Sequence, residues 1–168
     1  MNKTKRIVNT SLMAALVCVA TLIIEIPTPM GGYVNLGDCI SLLCGMLLSP
    51  AYAFAAAGIG GGVADLFAGY AVYAPATFVI KGALAITAHY LYKRLKGKLG
   101  EIPSAVIGGV CAEAVMVAGY LLYESFLYGF VPSLANVPAN LIQGAVGIVL
   151  AILLLGIFKK AKILPRDK

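Results

Sequence analysis

Asp65 and Lys81 stand in Gly58–Gly82, GIGGGVADLFAGYAVYAPATFVIKG, where nearly every other residue is apolar or small. In hydrocarbon an ionisable side chain costs ~2.5–3.5 kcal/mol on insertion scales, so such groups persist where they hold a ligand or one another. Between the two charges lie Tyr70, Tyr73 and the Ala74-Pro75 break. Two helices meeting at a polar turn, each with one buried charge, can recognise a solute by charge, hydrogen bonding and stacking. An Asp65–Lys81 ion pair is the structural alternative, and one arrangement could serve both ends.

Other polar groups gather at the same depth. Glu113 falls mid-way along an apolar segment, with Tyr120 and Glu124 towards its end. Glu113 must face the interior or be protonated, and a partner on another helix is expected. Asn136, Asn140 and Gln143 follow at i, i+4 and i+7, one helical stripe of amides that both donate and accept. Such a stripe suits a neutral heterocycle; the bland alternative is contact between helices. Asn35 and Asp38 lie near a helix start, where Asp38 is expected first as an N-terminal cap and second as a ligand contact. With Glu25, these groups make a pocket for a small planar solute.

Catalytic and metal chemistry find little footing. His89 is the lone histidine and has no acidic neighbour in sequence, and Ser104 sits at a segment boundary. A nucleophile–base pair for an intramembrane enzyme, the rival from another class, is not spelled out. The four cysteines stand singly, without a CxxC pair, and are expected as packing residues rather than a disulfide framework or metal site. Gly58, Gly60, Gly61 and Gly62 lack the third glycine and the βαβ setting of a dinucleotide fingerprint, so close helix packing is the expectation. No GK[ST] phosphate loop is present, so the chain has no motor of its own.

The elements that position these groups are membrane helices. Mean hydropathy is +0.93 and charged residues make up only 12%, against roughly 25% in a soluble domain. Twelve of the thirteen basic residues fall in three clusters, Lys3–Arg6, Lys93–Lys98 and Lys159–Lys168, each beside an apolar span. That is the positive-inside pattern, and it accounts for the net charge of +6 without nucleic acid. The thirteenth is Lys81. Six spans are expected, at about 8–26, 36–48, 52–71, 76–92, 104–123 and 138–158. A Pro/Gly loop is expected over 25–35, an inner loop formed by the second basic cluster with Gly97, Gly100 and Pro103, and an outer loop over 125–137. The fold class is an all-α integral membrane protein, a single six-helix bundle over 1–168 with both termini cytoplasmic. The spans lack a polar trail below Glu113, which argues for capture of a solute rather than a pore.

GYVNLGD (Gly32–Asp38), ADLFAGYAVYAPATFVIKG (Ala64–Gly82), GYLLYESFLYG (Gly119–Gly129) and NVPANLIQG (Asn136–Gly144) together resemble the substrate-binding S components of energy-coupling factor (ECF) vitamin transporters. The similarity is to the group that takes riboflavin, pyridoxine and hydroxymethylpyrimidine, and Tyr73–Gly82 is its most specific part. The resemblance implies high-affinity binding of a vitamin from outside and a complex with a transmembrane T subunit and two cytosolic ATPases. It also implies toppling of the S component to release its cargo, with no cofactor and no ATP hydrolysis by this chain. The site expected for the solute, read from the polar groups at the outer half, draws on Asn35, Asp38, Tyr70, Tyr73, Lys81, Tyr120, Glu124, Asn136, Asn140 and Gln143. The implied T-subunit contact on the first helix falls on Ser11/Ala15 and Ala14/Cys18, small residues four apart though not the Ala-x-x-x-Ala of the family. One lysine beside several acids is little positive charge, so nothing demands a phosphate or carboxylate ligand. A pyridoxine-like or hydroxymethylpyrimidine-like heterocycle ranks first, riboflavin next.

Overall fold

The computed structural model describes residues 3–29 and 31–160, with Lys159 and Lys160 described as backbone alone. The distal basic residues Lys162, Arg166 and Lys168 lie outside the described residues. Six helices of eleven residues or more follow in chain order: α1 (Lys3–Ile23), α2 (Gly37–Leu47), α3 (Pro50–Phe67), α4 (Ala74–Leu99), α5 (Glu101–Tyr128) and, after a one-turn α6 (Phe130–Ser133), α7 (Val137–Lys160). Two short strands, β1 (Ile26–Pro27) and β2 (Tyr33–Val34), join α1 to α2.

Lys3–Ile23, Glu101–Tyr128 and Phe130–Phe158 are each long and apolar enough to cross a membrane. That is three segments among the described residues, against the six spans expected. The eleven residues of α2 rise only ~16 Å, about half the hydrocarbon thickness. All of α2 from Gly37 to Met46 is buried, so this helix is a central pillar wrapped by its neighbours. Large apolar side chains face outward instead, among them Phe126 (88% exposed), Phe67 and Leu122. The interior is lined by small residues such as Ala53, Ala57, Ala85 and Ala112, around Leu42, Leu84 and Met116. This inverted distribution suits a protein whose solvent on the flanks is lipid.

The glycine cluster of α3 does what its composition suggests. A Cβ at Gly60 would stand 2.5 Å from the Ala14 carbonyl oxygen of α1, and one at Gly58 would stand 2.6 Å from the Phe78 carbonyl oxygen of α4. Backbone meets backbone on both sides of α3, at separations that any side chain would forbid.

Two loops differ from expectation. Lys93–Lys98 are helical, and the inner connection shrinks to Gly100, whose φ of 81° lets the chain reverse between α4 and α5. Tyr92 Oη donates to Glu101 Oε1 across this turn at 2.6 Å. The outer segment 125–137 is likewise mostly helical: α5 continues to Tyr128, breaks at Gly129 and resumes as α6 and a 3₁₀ turn, Leu134–Asn136. Long apolar helices extend until a residue with positive φ or a proline interrupts them, and charge alone does not. The loop after α1 is a hairpin, with Ile26 opposite Val34 and Pro27 opposite Tyr33. Pro27 and Pro29 cannot continue α1, and Gly31 (φ 79°) closes the turn.

Candidate solute-binding site

One end of the bundle carries a pocket open to solvent, with about 350 Å³ of empty space between its walls when that open solvent is counted. Its walls come from five elements. The hairpin and its exit supply Gly32, Tyr33 and Asn35; α3 supplies Asp65; Tyr73 and Thr77 come from the start of α4; Tyr120 and Glu124 from α5; Asn140 and Gln143 from α7.

The chemistry of the walls follows from helical spacing. Tyr73 and Thr77 lie one turn apart at the mouth of α4, and Lys81 lies one turn deeper on the same face. Thr77 Oγ1 and Tyr120 Oη share a hydrogen bond of 3.0 Å that ties α4 to α5. Tyr33 Oη donates to Asp65 Oδ1 at 2.7 Å, closing the hairpin over the end of α3. The Tyr33 ring lies 4.6 Å from that of Tyr70, whose ring in turn meets Tyr73 edge-on at 6.5 Å. Burial, and then the charge of Asp65, hold the Tyr33 phenol above its ordinary pKa, so it stays a proton donor. Asn136 Nδ2 donates to Glu124 Oε1 at 2.9 Å. Asp65 and Glu124 are each only 3% exposed, and Asp65 Oδ2 and Glu124 Oε2 have no hydrogen-bond partner among the described residues. Thr77 stands beside Asp65, and Tyr73 beside Glu124.

Beneath the pocket lies a buried ionic network. Lys81, 1% exposed, pairs through Nζ with Asp38 Oδ1, and Asp38 is fully buried. Gln143 Nε2 donates to Asp38 Oδ2, while Gln143 Oε1 accepts the Asn35 backbone N–H at 2.8 Å. The Gln143 amide is thereby fixed in one orientation by α2 on one side and the hairpin exit on the other. The Lys81 ammonium also lies 6.0 Å from the centre of the Tyr120 ring.

Two expectations are corrected here. Lys81 pairs with Asp38, not Asp65, because α2 lies against α4 and brings its first turn to the ammonium. Asp38 is no cap: Leu36 is the residue that precedes the first turn of α2, and no side-chain cap bond is made there. The Asn35 Oδ1 atom takes the Gly37 N–H at 2.9 Å instead. Glu113, 5% exposed, does face the interior, packed against Gly144 and Gly147 of α7. Neither of its oxygens has a hydrogen-bond partner among the described residues, so the expected partner on another helix is a pair of glycines that make room for it.

Of the residues expected at the site, Asn35, Tyr73, Tyr120, Glu124, Asn140 and Gln143 line the pocket. Asp38 and Lys81 lie behind it as a neutralised pair, Tyr70 backs Tyr33 and Tyr73, and Asn136 backs Glu124. Glu25 is exposed. Sequence reasoning passed over Gly32, Tyr33 and Thr77, although Thr77 falls midway between Tyr73 and Lys81 at helical spacing. Asp65 lines the wall as well. On α1, Ala14 packs against Gly60, whereas Ser11 and Ala15 are exposed; the two small-residue pairs face different ways. His89 Nδ1 meets the Gly45 carbonyl at 2.9 Å and Ser104 Oγ donates to the Gly100 carbonyl at 2.5 Å. Both are thus engaged by backbone, away from the pocket.

Compared with known families, the chain matches the ECF-type riboflavin transporter S component over residues 1–160. The chain belongs to this family. S components are multi-pass membrane proteins of vitamin uptake, and that agrees with the outward apolar faces and the helix lengths. Two solved S components share the fold. One, from a study of the structure and mechanism of the S component of a bacterial ECF transporter, has a TM-score of 0.73 at 23% identity, covering 95% of this chain and 98% of that one. The other, the S component for biotin from an ECF-type ABC transporter, has a TM-score of 0.67 at 16% identity, covering 98% and 96%. A Pyrococcus woesei protein described as uncharacterised is 32% identical over 135 residues, 80% of this S component and 88% of its own length.

Proposed function

We propose that this S component binds riboflavin, or a close neutral relative, from the outer side of the cell membrane, and delivers it as part of an ECF-type transporter. The observation that carries the proposal is the pocket, which combines tyrosine faces for stacking a planar ring with carboxylate and amide edges for its polar groups. The family match moves riboflavin ahead of the pyridoxine-like and hydroxymethylpyrimidine-like heterocycles that the motifs alone rank first. The partners are a transmembrane T subunit and two cytosolic ATPases, which supply the ATP hydrolysis. In this reading the chain is one six-helix membrane domain with both termini on the cytoplasmic side, where its basic clusters would place them. The exposed Ser11 and Ala15 then belong to the T-subunit face.

A thermal-shift series on the detergent-purified protein tests the substrate. Riboflavin is expected to raise the melting temperature, pyridoxine and hydroxymethylpyrimidine to do so weakly or not at all. Stabilisation follows mass action, about 2.7 kcal/mol at a ligand concentration of 100 Kd. A shift with one of the smaller heterocycles and none with riboflavin would reverse the ranking.

A further inference from the structure

We propose that the last turns of α4 form a headgroup site for an anionic phospholipid, with Tyr90, Arg94 and Lys98 as its contacts. The site lies at the opposite end of α4 from the solute pocket. It depends on the chain being a membrane protein and not on which solute the chain carries.

The 26 residues of α4 rise ~39 Å, whereas about 20 residues are enough to cross the hydrocarbon. Tyr73 and Thr77 hold the start of α4 at the pocket, so its last turns reach the level of the opposite headgroups. Tyr90, Arg94 and Lys98 follow there at i, i+4 and i+8, one stripe along the helix. All three are exposed, Tyr90 by 59%. The Tyr90 ring meets the His89 ring edge-on at 5.5 Å, and His89 is itself fixed to the Gly45 carbonyl through Nδ1 at 2.9 Å. A tyrosine at this level seats its ring among the headgroups.

The positive charge of the stripe is unbalanced. Glu101 is the acid at this end among the described residues, and it is engaged by Tyr92 at 2.6 Å and by Lys96 at 3.9 Å, both on another side of the helix. Arg94 and Lys98 have no acidic partner among the described residues. A guanidinium can grip a phosphate with two parallel bonds, and an ammonium one turn away adds a point charge. Leu91, Leu95 and Leu99 form the adjoining stripe, with Leu99 48% exposed, and Ile102 beyond the turn is 63% exposed. A free phosphate would leave those apolar groups in water, and an acidic protein surface would need an apolar row to match them. A phospholipid meets both, its chains against the leucines and its headgroup against the cations.

The test counts lipids retained by the purified protein in native mass spectrometry, from micelles holding equal amounts of dioleoyl phosphatidylglycerol and dioleoyl phosphatidylcholine. The two lipids share their chains and differ in headgroup charge. In micelles both ends of the molecule meet the same lipids, so the outcome is independent of which end faces the cytoplasm. The anionic lipid is expected to be retained ~10-fold or more over the zwitterionic one, a scale set by two cations beside an anionic headgroup. Arg94→Gln with Lys98→Gln should bring that preference to within ~2-fold, with the melting temperature in lipid-free detergent unchanged. The single variants, each expected to lose ~3-fold, carry the test if the double variant does not fold. Lys3→Gln with Lys5→Gln, on α1, should keep the parent preference. Equal retention of the two lipids by the parent protein would overturn the proposal, as would a preference unmoved in the folded α4 variants. A preference lost equally in the α1 variant would make it a property of net charge and overturn the site. In a last arm sn-glycerol 1-phosphate is added. Displacement of phosphatidylglycerol by this soluble ester would mark a free-phosphate site, and the lipid assignment would fail.

Discussion

Lys81 illustrates how a membrane interior treats a charge. Its ammonium is 1% exposed on a helix surrounded by alanines, and such a group is tolerated only with a counter-charge and further hydrogen bonds around it. Asp38 supplies the first, and Gln143, through its own bond to Asp38, helps satisfy the second oxygen. Removing the lysine leaves a fully buried carboxylate alone, which typically costs ~3–5 kcal/mol. Lys81→Met should therefore lower the melting temperature sharply, while Lys81→Met combined with Asp38→Asn should recover much of the loss. A double variant as unstable as the single one would show that the pair is not what makes Lys81 necessary. The sequence placed Lys81 at a depth similar to that of Asp65 and offered that acid as its partner, whereas the structure gives it Asp38. Depth follows from counting residues along a helix; the choice between Asp38 and Asp65 depends on how α2, α3 and α4 are rotated about their axes, and Asp65 is claimed by Tyr33.

Among the elements, α3 shows the reverse case, in which composition alone was enough. A helix with four glycines in five positions has nowhere to put its neighbours except against its backbone, and α1 and α4 lie there. Gly60→Val would drive a β-branched side chain into the Ala14 carbonyl and Val17, and overpacking of this kind costs ~1–3 kcal/mol. The expected outcome is a lower melting temperature and easier proteolysis between α1 and α2. A melting temperature equal to that of the parent protein would mean that α1 is not seated on α3 as described. The inner and outer connections were less legible. Basic residues and prolines suggested loops, yet α4 runs through its lysines to Leu99, and α5 runs past the span end expected at 123 to Tyr128. Helix continuation there lasts until the positive-φ glycines Gly100 and Gly129 break the backbone.

For the whole molecule, the exposed side of α1 separates capture from delivery. Ser11 and Ala15 face outward beside Leu12, Leu16 and Val19, whereas Ala14 is spent on α3. In the proposed transporter, Ala15→Trp should leave riboflavin affinity near its parent value and abolish uptake when the T subunit and ATPases are present. Weakened binding in the isolated protein would instead place Ala15 within the folded core. From the sequence by itself came the membrane class, since 61% hydrophobic residues and three flanking basic clusters leave few alternatives. The order of the helices, the glycine packing of α3 and the family resemblance were legible there too. These are local or compositional properties, and a single chain displays them without folding. Tertiary structure alone decided that Lys81 belongs to Asp38, that the hairpin brings Tyr33 onto Asp65, and that Thr77 stands on the pocket wall. Each of those facts joins residues far apart in sequence, and their meeting depends on the azimuth and crossing of packed helices, which no period along one chain encodes.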